Sequence, residues 1–329
     1  MSLSQPSTSE QLPLFEDKRV LLNRGILELT RLDLEEARGS FERYKAPYRR
    51  EDDVHAELKL TDFLMKGFVG APEACPDEPS YLCGFWTSFE EYVQSVGFRC
   101  ENIVVDIKRS FFLKALEAIG RCSLGDTPFL SDTVPTGYVY IQTGQYDKAI
   151  RSLQSCIPIT PGNAVIYGYL GDAYMLRGEP DVARHCYREA CLIDPAGMDW
   201  GHMKDAALME LRGQLIKQYN SGISLALEWL PSHAYIQGLF GPKILKLNEG
   251  IKEFVDEYLG LRKAFFKEPT LELKAKLFFR AIILCDNEPL LRFIKRINFI
   301  DVRRNMKEFD RGLFSRYLKR VEVGRFTSA

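Results

Sequence analysis

Along most of this chain apolar residues recur at spacings of three and four, the period that gathers side chains on one face of an α-helix. Such stripes run through Val54 to Phe68, Phe85 to Val96 and Ile107 to Ile119. Later ones join Ile251, Phe254, Val255, Tyr258, Leu259, Phe265 and Phe266, and then Met306, Phe309, Leu313, Tyr317 and Leu318. The pattern predicts helices nearly throughout. Breaks are expected at the Pro-, Cys- and Gly-rich stretch Gly70 to Gly84, read as a long loop, at Trp229-Leu230-Pro231 and at Phe240-Gly241-Pro242.

A period longer than the helical one lies in the middle. Shifting the sequence by 34 residues superimposes Gly137 on Gly171, Tyr140 on Tyr174, Gly144 on Gly178, Ala149 on Ala183 and Pro161 on Pro195. Each copy reads as two antiparallel helices. In the second copy Tyr167, Leu170, Gly171 and Tyr174 share one face of a first helix, and Gly171 admits a close neighbour. Gly178-Glu179-Pro180 ends that helix and starts the next, in which Ala183, Tyr187 and Ala190 form the packing stripe. Asp194-Pro195 closes it, because the residue before proline is pushed out of helical geometry. In the first copy Pro135 fits only if its helix begins near Asp132, so that helix is expected to be about one turn shorter.

The order bulky residue, Leu-Gly, Tyr, Ala, aromatic, Ala, Asp-Pro resembles the tetratricopeptide repeat family over residues 130–163 and 164–197. The resemblance implies an all-α fold, an α-α superhelix of tetratricopeptide-type hairpins with additional flanking helices, acting in protein–protein interaction. It also implies that first helices line a concave wall. The groove positions would be Val134, Tyr138 and Ile141 in one copy and Val165, Asp172 and Met175 in the next. Family members that grip carboxylate-ended chaperone tails carry Lys, Arg and Asn in the groove. Here those positions hold Val134, Tyr138, Val165 and Tyr169, so that clamp is missing. An imperfect third copy fits 18–51 through Leu21, Gly25, Ala37 and Phe41, with Glu28 and Arg49 in place of the tyrosine and proline. The expected organisation is a disordered polar tail at 1–16, an N-terminal helical region at 17–129, two repeats at 130–197 and a C-terminal helical region at 198–329.

Charge adds an asymmetry to this picture. Residues 241–329 hold 20 Lys and Arg against 12 Asp and Glu, a net +8, so the preceding residues carry −9. Arg303, Arg304, Lys307, Arg311, Arg316, Lys319 and Arg320 sit with the last apolar stripe. An alternative reading is therefore a helical adaptor whose basic C-terminal region binds nucleic acid or an acidic partner. Against it stand a solvated helix face and the want of any nucleic-acid module. No run of about 18 apolar residues offers a membrane span, and no signal-peptide pattern opens the chain, so cytoplasmic residence is expected. The eight cysteines are scattered without a secreted-type framework and are expected to be reduced, mostly buried thiols.

Enzyme chemistry finds no foothold in the motifs. There is no Cys-x-x-Cys or His-x-x-x-His pair for a metal, no Gly-x-Ser-x-Gly elbow, and no Gly-rich phosphate cradle. The sequence predicts a non-catalytic scaffold without cofactor or metal. It would hold a protein or peptide segment in the repeat groove.

Overall fold

The computed structural model describes residues 18–45, 54–72, 75, 77–131, 134–219, 222–245, 249–292 and 296–327. The tail expected at 1–16 and Arg49 of the imperfect copy lie outside them. Among the described residues there are sixteen helices and no strand, with an isolated bridge between Phe129 and Pro135. The all-α expectation holds. The chain forms two compact units, residues 1–145 and 146–329, divided in the turn between the two helices of the first repeat.

The first unit contains α1 (Lys18–Arg31), α2 (Leu34–Lys45), α3 (His55–Val69), α4 (Asp77–Ser95), α5 (Glu101–Arg121) and α6 (Thr136–Gln142). Its interior is aromatic. Trp86, Phe89, Phe111 and Phe112 are buried, and the Trp86 ring lies 5.1, 5.2 and 5.7 Å from the rings of the other three. Phe63 stacks on Phe85 and Tyr92 at 5.3 and 4.3 Å, extending the cluster to α3. Burying rings of this size supplies the main apolar stabilisation of the unit. In the α1–α2 hairpin a Cβ added to Gly25 would lie 2.6 Å from the Phe41 ring. Glu28, standing where a tyrosine was expected, accepts from Ser40 Oγ at 2.6 Å.

Three sequence expectations are corrected in the first unit. Gly70 to Gly84 is not one long loop, because α4 starts at Asp77. Pro79 falls in its first turn, where backbone N–H groups have no intrahelical partner to lose. The helix of the first copy is trimmed further than one turn: α6 spans seven residues and begins after Pro135, which takes the extended cap position. Finally, Cys75 and Cys122 form a disulfide with Cα atoms 5.5 Å apart, so two of the eight thiols expected to be reduced are bonded. Spacing along the chain could not reveal it, since the two lie 47 residues apart and meet only when α4 and α5 fold back on each other.

The second unit contains α7 (Tyr146–Cys156), α8 (Ala164–Leu176), α9 (Pro180–Ile193), α10 (Ala206–Gln218), α11 (Ile223–Gln237), α12 (Glu249–Lys267), α13 (Leu271–Asp286), α14 (Glu288–Leu291), α15 (Phe299–Phe309) and α16 (Arg311–Thr327). Its core runs on from the repeat helices into the C-terminal ones. At its centre α11 packs on α13, and every residue from Leu225 to Tyr235 and from Leu277 to Cys285 is buried. That burial overrides Pro231, which lies inside α11 rather than breaking it. A helix-interior proline costs about 3 kcal/mol, whereas each fully buried large apolar side chain returns about 1.5–3 kcal/mol. The helix ends at Gln237, capped by Gly238 in the left-handed conformation, and the break expected at Phe240-Gly241-Pro242 lies in the non-helical segment just after it.

Candidate functional site

The α8–α9 hairpin shows why the repeat carries the residues it does. Asn163 caps α8, its side-chain oxygen accepting from the Val165 N–H at 3.0 Å. A Cβ on Gly171 would lie 2.3 Å from the Tyr187 ring, so the glycine is what lets α9 approach α8. Ala183, Tyr187 and Ala190 of α9 are fully buried, and Leu170 and Pro195 are buried as well. Tyr174 is half-buried and its hydroxyl accepts from Gln154 of α7 at 3.1 Å. In the first copy Gly137, Tyr140 and Ala149 are buried, while Pro161 is exposed.

Of the six residues expected to line a partner groove, Tyr138, Ile141 and Asp172 are used by the chain itself. Tyr138 is buried with its ring edge-on to Phe112 of α5, 5.6 Å between centroids, and Ile141 is also buried. Asp172 is only 3% exposed: its carboxylate accepts from the Tyr187 hydroxyl at 2.7 Å and from the Lys204 N–H at 2.9 Å. Burial pushes that carboxyl up to about 7, against the opposing pull of the two hydrogen bonds. The segment between α9 and α10 occupies the same face of α8. Met198 comes against Gly168, and Asp199 accepts from Tyr169 Oη at 2.6 Å and pairs with His202 Nδ1 at 2.8 Å. Although burial pushes the Asp199 carboxyl up, the His202 and Tyr169 bonds outweigh it and bring the group down to about 2. Val134, Val165 and Met175 remain half-buried.

Open space lies instead at the end of the hairpin. Pro161, Tyr167, Glu189, Leu192, Ile193, Lys243, Phe254 and Glu257 enclose a cleft of about 340 Å³. Lys243, Phe254 and Glu257 are shared with an adjoining hollow of about 560 Å³, bordered by Ile244, Leu245, Gly250, Ile251 and Glu253. The apolar surface comes from Tyr167, Leu192, Ile193 and Phe254. On the rim Lys243 is paired with Glu189, and Glu257, its side chain 49% exposed, is paired with Arg280 at 2.5 Å. Burial, then the Glu189 charge, raises the Tyr167 hydroxyl above its ordinary value.

Three buried polar side chains fix the cleft walls. Arg280, from the apolar run of α13, donates to the Leu192 carbonyl at the end of α9 at 2.8 Å and to Glu257 of α12. Arg188 of α9 donates to the carbonyls of Gly241 and Pro242 at 3.0 and 2.9 Å. Asn287 accepts from the Leu245 N–H at 2.9 Å and donates to the Lys243 carbonyl at 2.7 Å. Sequence periodicity missed these residues. The one usable signal was an arginine inside Leu277-Phe278-Phe279-Arg280-Ala281-Ile282, where a charge persists only if its donors find partners.

The basic C-terminal residues are partly committed elsewhere. Arg303 pairs with Glu288, Arg304 with Asp301 at 3.1 Å, and Arg320 donates to the Ile236 carbonyl in the last turn of α11 and to the Phe240 carbonyl after it. Lys307, Arg311, Arg316 and Lys319 are exposed. Among the described residues no three His, Cys, Asp or Glu side chains are grouped to hold a metal, and no helix is long and apolar enough to cross a membrane.

Comparison with known proteins agrees with the hairpin geometry. Family models described as tetratricopeptide repeat match residues 137–163 and 164–196. No curated protein matches the chain, and no solved structure does. Such repeats indicate a protein–protein interaction or scaffold role. With two tandem copies of the motif in an all-helical chain, this is a tetratricopeptide-repeat protein.

Proposed function

We propose that the chain is a non-catalytic scaffold that holds a partner protein by seating an apolar side chain of that partner in the cleft at the end of the α8–α9 hairpin. The observation that carries this reading is the cleft itself: an apolar floor of Tyr167, Leu192, Ile193 and Phe254, open to solvent and rimmed by charge. Its size falls within the range of about 300–1,000 Å³ common to ligand pockets. Because Arg188, Arg280 and Asn287 already fix its walls, binding orders little of the protein, which favours affinity. Glu257 is exposed enough to accept a hydrogen bond from the incoming segment. The half-buried Val165 and Met175 are left as secondary contacts, since Asp172 is already satisfied internally.

Titration of a partner identified by pull-down against wild type and a Tyr167→Ala, Phe254→Ala double variant tests the proposal. Loss of these two side chains is expected to weaken binding by about 1–3 kcal/mol, with helicity retained. Unchanged affinity in a folded double variant would reject the cleft as the site.

A further inference from the structure

Cys75 stands before α4 and Cys122 directly after α5, so their disulfide joins two ends of an antiparallel helix pair. Cys75 is exposed and Cys122 half-buried, which leaves the bond open to attack by an external thiolate. The other cysteines differ. Cys83, Cys156, Cys191 and Cys285 are buried and Cys186 is half-buried, and burial raises each of these thiols, Cys83 and Cys285 to about 12. Cys100 is exposed but sits at the opposite end of the 21-residue α5, about 30 Å away at 1.5 Å per residue. One thiol pair is therefore both accessible and close.

The segment running from Cys122 to α6 gives the bond a consequence, because it is tied to both helices. Leu124 N–H donates to the Ile119 carbonyl at 3.0 Å, Thr136 Oγ1 to the Thr127 carbonyl at 2.6 Å, and Tyr140 Oη to the Gly125 carbonyl at 3.2 Å. Beside the disulfide, Arg121 and Glu78 pair across the same helix ends at 2.6 Å, with Arg121 largely exposed. Such a pair contributes little alone.

We propose that Cys75 and Cys122 form a reversible thiol–disulfide switch that locks or loosens the α4–α5 end from which α6, the first helix of the first repeat, is suspended. The chemistry balances through a dithiol reductant. Its thiolate attacks Cys75 Sγ, the Cys75–Cys122 bond breaks, and Cys122 leaves as a thiolate that takes up a proton. The second thiol then displaces Cys75, so two electrons pass to the protein and the reductant ends as its own disulfide. Oxidised glutathione drives the reverse, yielding two glutathione thiols.

The full chain is treated with oxidised glutathione, or with dithiothreitol under native conditions, then alkylated in denaturant and weighed. Six alkylated cysteines and a Cys75–Cys122 cross-linked peptide are expected after oxidation, and eight alkylated cysteines after native reduction. Hydrogen exchange over 77–95 and 122–142 should quicken by about tenfold or more on reduction, with 164–193 unchanged. A Cys75→Ser, Cys122→Ser variant should exchange like the reduced protein in either reagent. Eight thiols after oxidation, a bond that yields only in denaturant, or identical exchange in the two states would each overturn the switch.

Discussion

At position 171 the α8–α9 seam has no room for a side chain, since a Cβ there would lie 2.3 Å from the Tyr187 ring. Gly171→Leu should therefore destabilise the second unit by about 1–3 kcal/mol or more, read as a lower melting temperature. An unchanged melt would contradict the seam. This residue was legible in the sequence because the 34-residue offset repeats a glycine where helices touch. Asp172, next to it, was not. Its place in the first helix implied exposure, but Lys204, from the segment after α9, supplies the N–H that draws the carboxylate inward. The consequence is a pH effect with a fixed sign. With a folded value near 7 against an ordinary 3.8, the folded chain binds the extra proton between those values, so this group's contribution to stability falls as pH rises from about 4 to 7 and stays low above. Asp172→Asn retains an acceptor for Tyr187 and removes the titration. Its melting temperature relative to wild type should be higher at pH 8 than at pH 5, and a difference independent of pH would contradict the assignment.

For whole elements, periodicity located helices well and located their ends poorly. The α3 stripe corresponds to the observed helix, whereas α4 and α5 both start before the stripes expected for them, and α11 continues through Pro231 because a local proline signal is weaker than burial of a whole helix. The short α6 depends on its neighbour, with Tyr138 packed on Phe112. Tyr138→Ala should thus act as a core truncation, costing about 3 kcal/mol or more in the first unit. A Tyr138 variant with wild-type stability would show that the ring belongs to the surface. Arg280 links α9, α12 and α13 through Leu192 and Glu257. Its replacement by Ala should cost about 1.5–3 kcal/mol by thermal melting, as expected for hydrogen bonds to a charged group. It should also weaken partner binding, because the cleft loses a wall. A variant that melts and binds like wild type would remove Arg280 from the site.

Across the molecule, fold class and the two central repeats were readable because glycine, alanine and proline at fixed offsets control helix contact and helix ends locally. The cleft was not readable. Its residues come from 161–167, 189–193 and 243–257, which share no period and are assembled by Arg188, Arg280 and Asn287 across tens of residues. The disulfide was hidden for the same reason. The net +8 of the last 89 residues is also less free than composition implied, since Arg303, Arg304 and Arg320 are engaged within the chain. The central claim is that a partner segment lies in the cleft at the hairpin end, and hydrogen exchange of the full chain with and without a captured partner tests it most directly. Slower exchange is predicted over 161–167, 189–193 and 250–257, with the outer face of α7 around Lys148 and Arg151 unaffected. Protection confined to any other surface, with these three segments exchanging as in the unbound protein, would contradict the account.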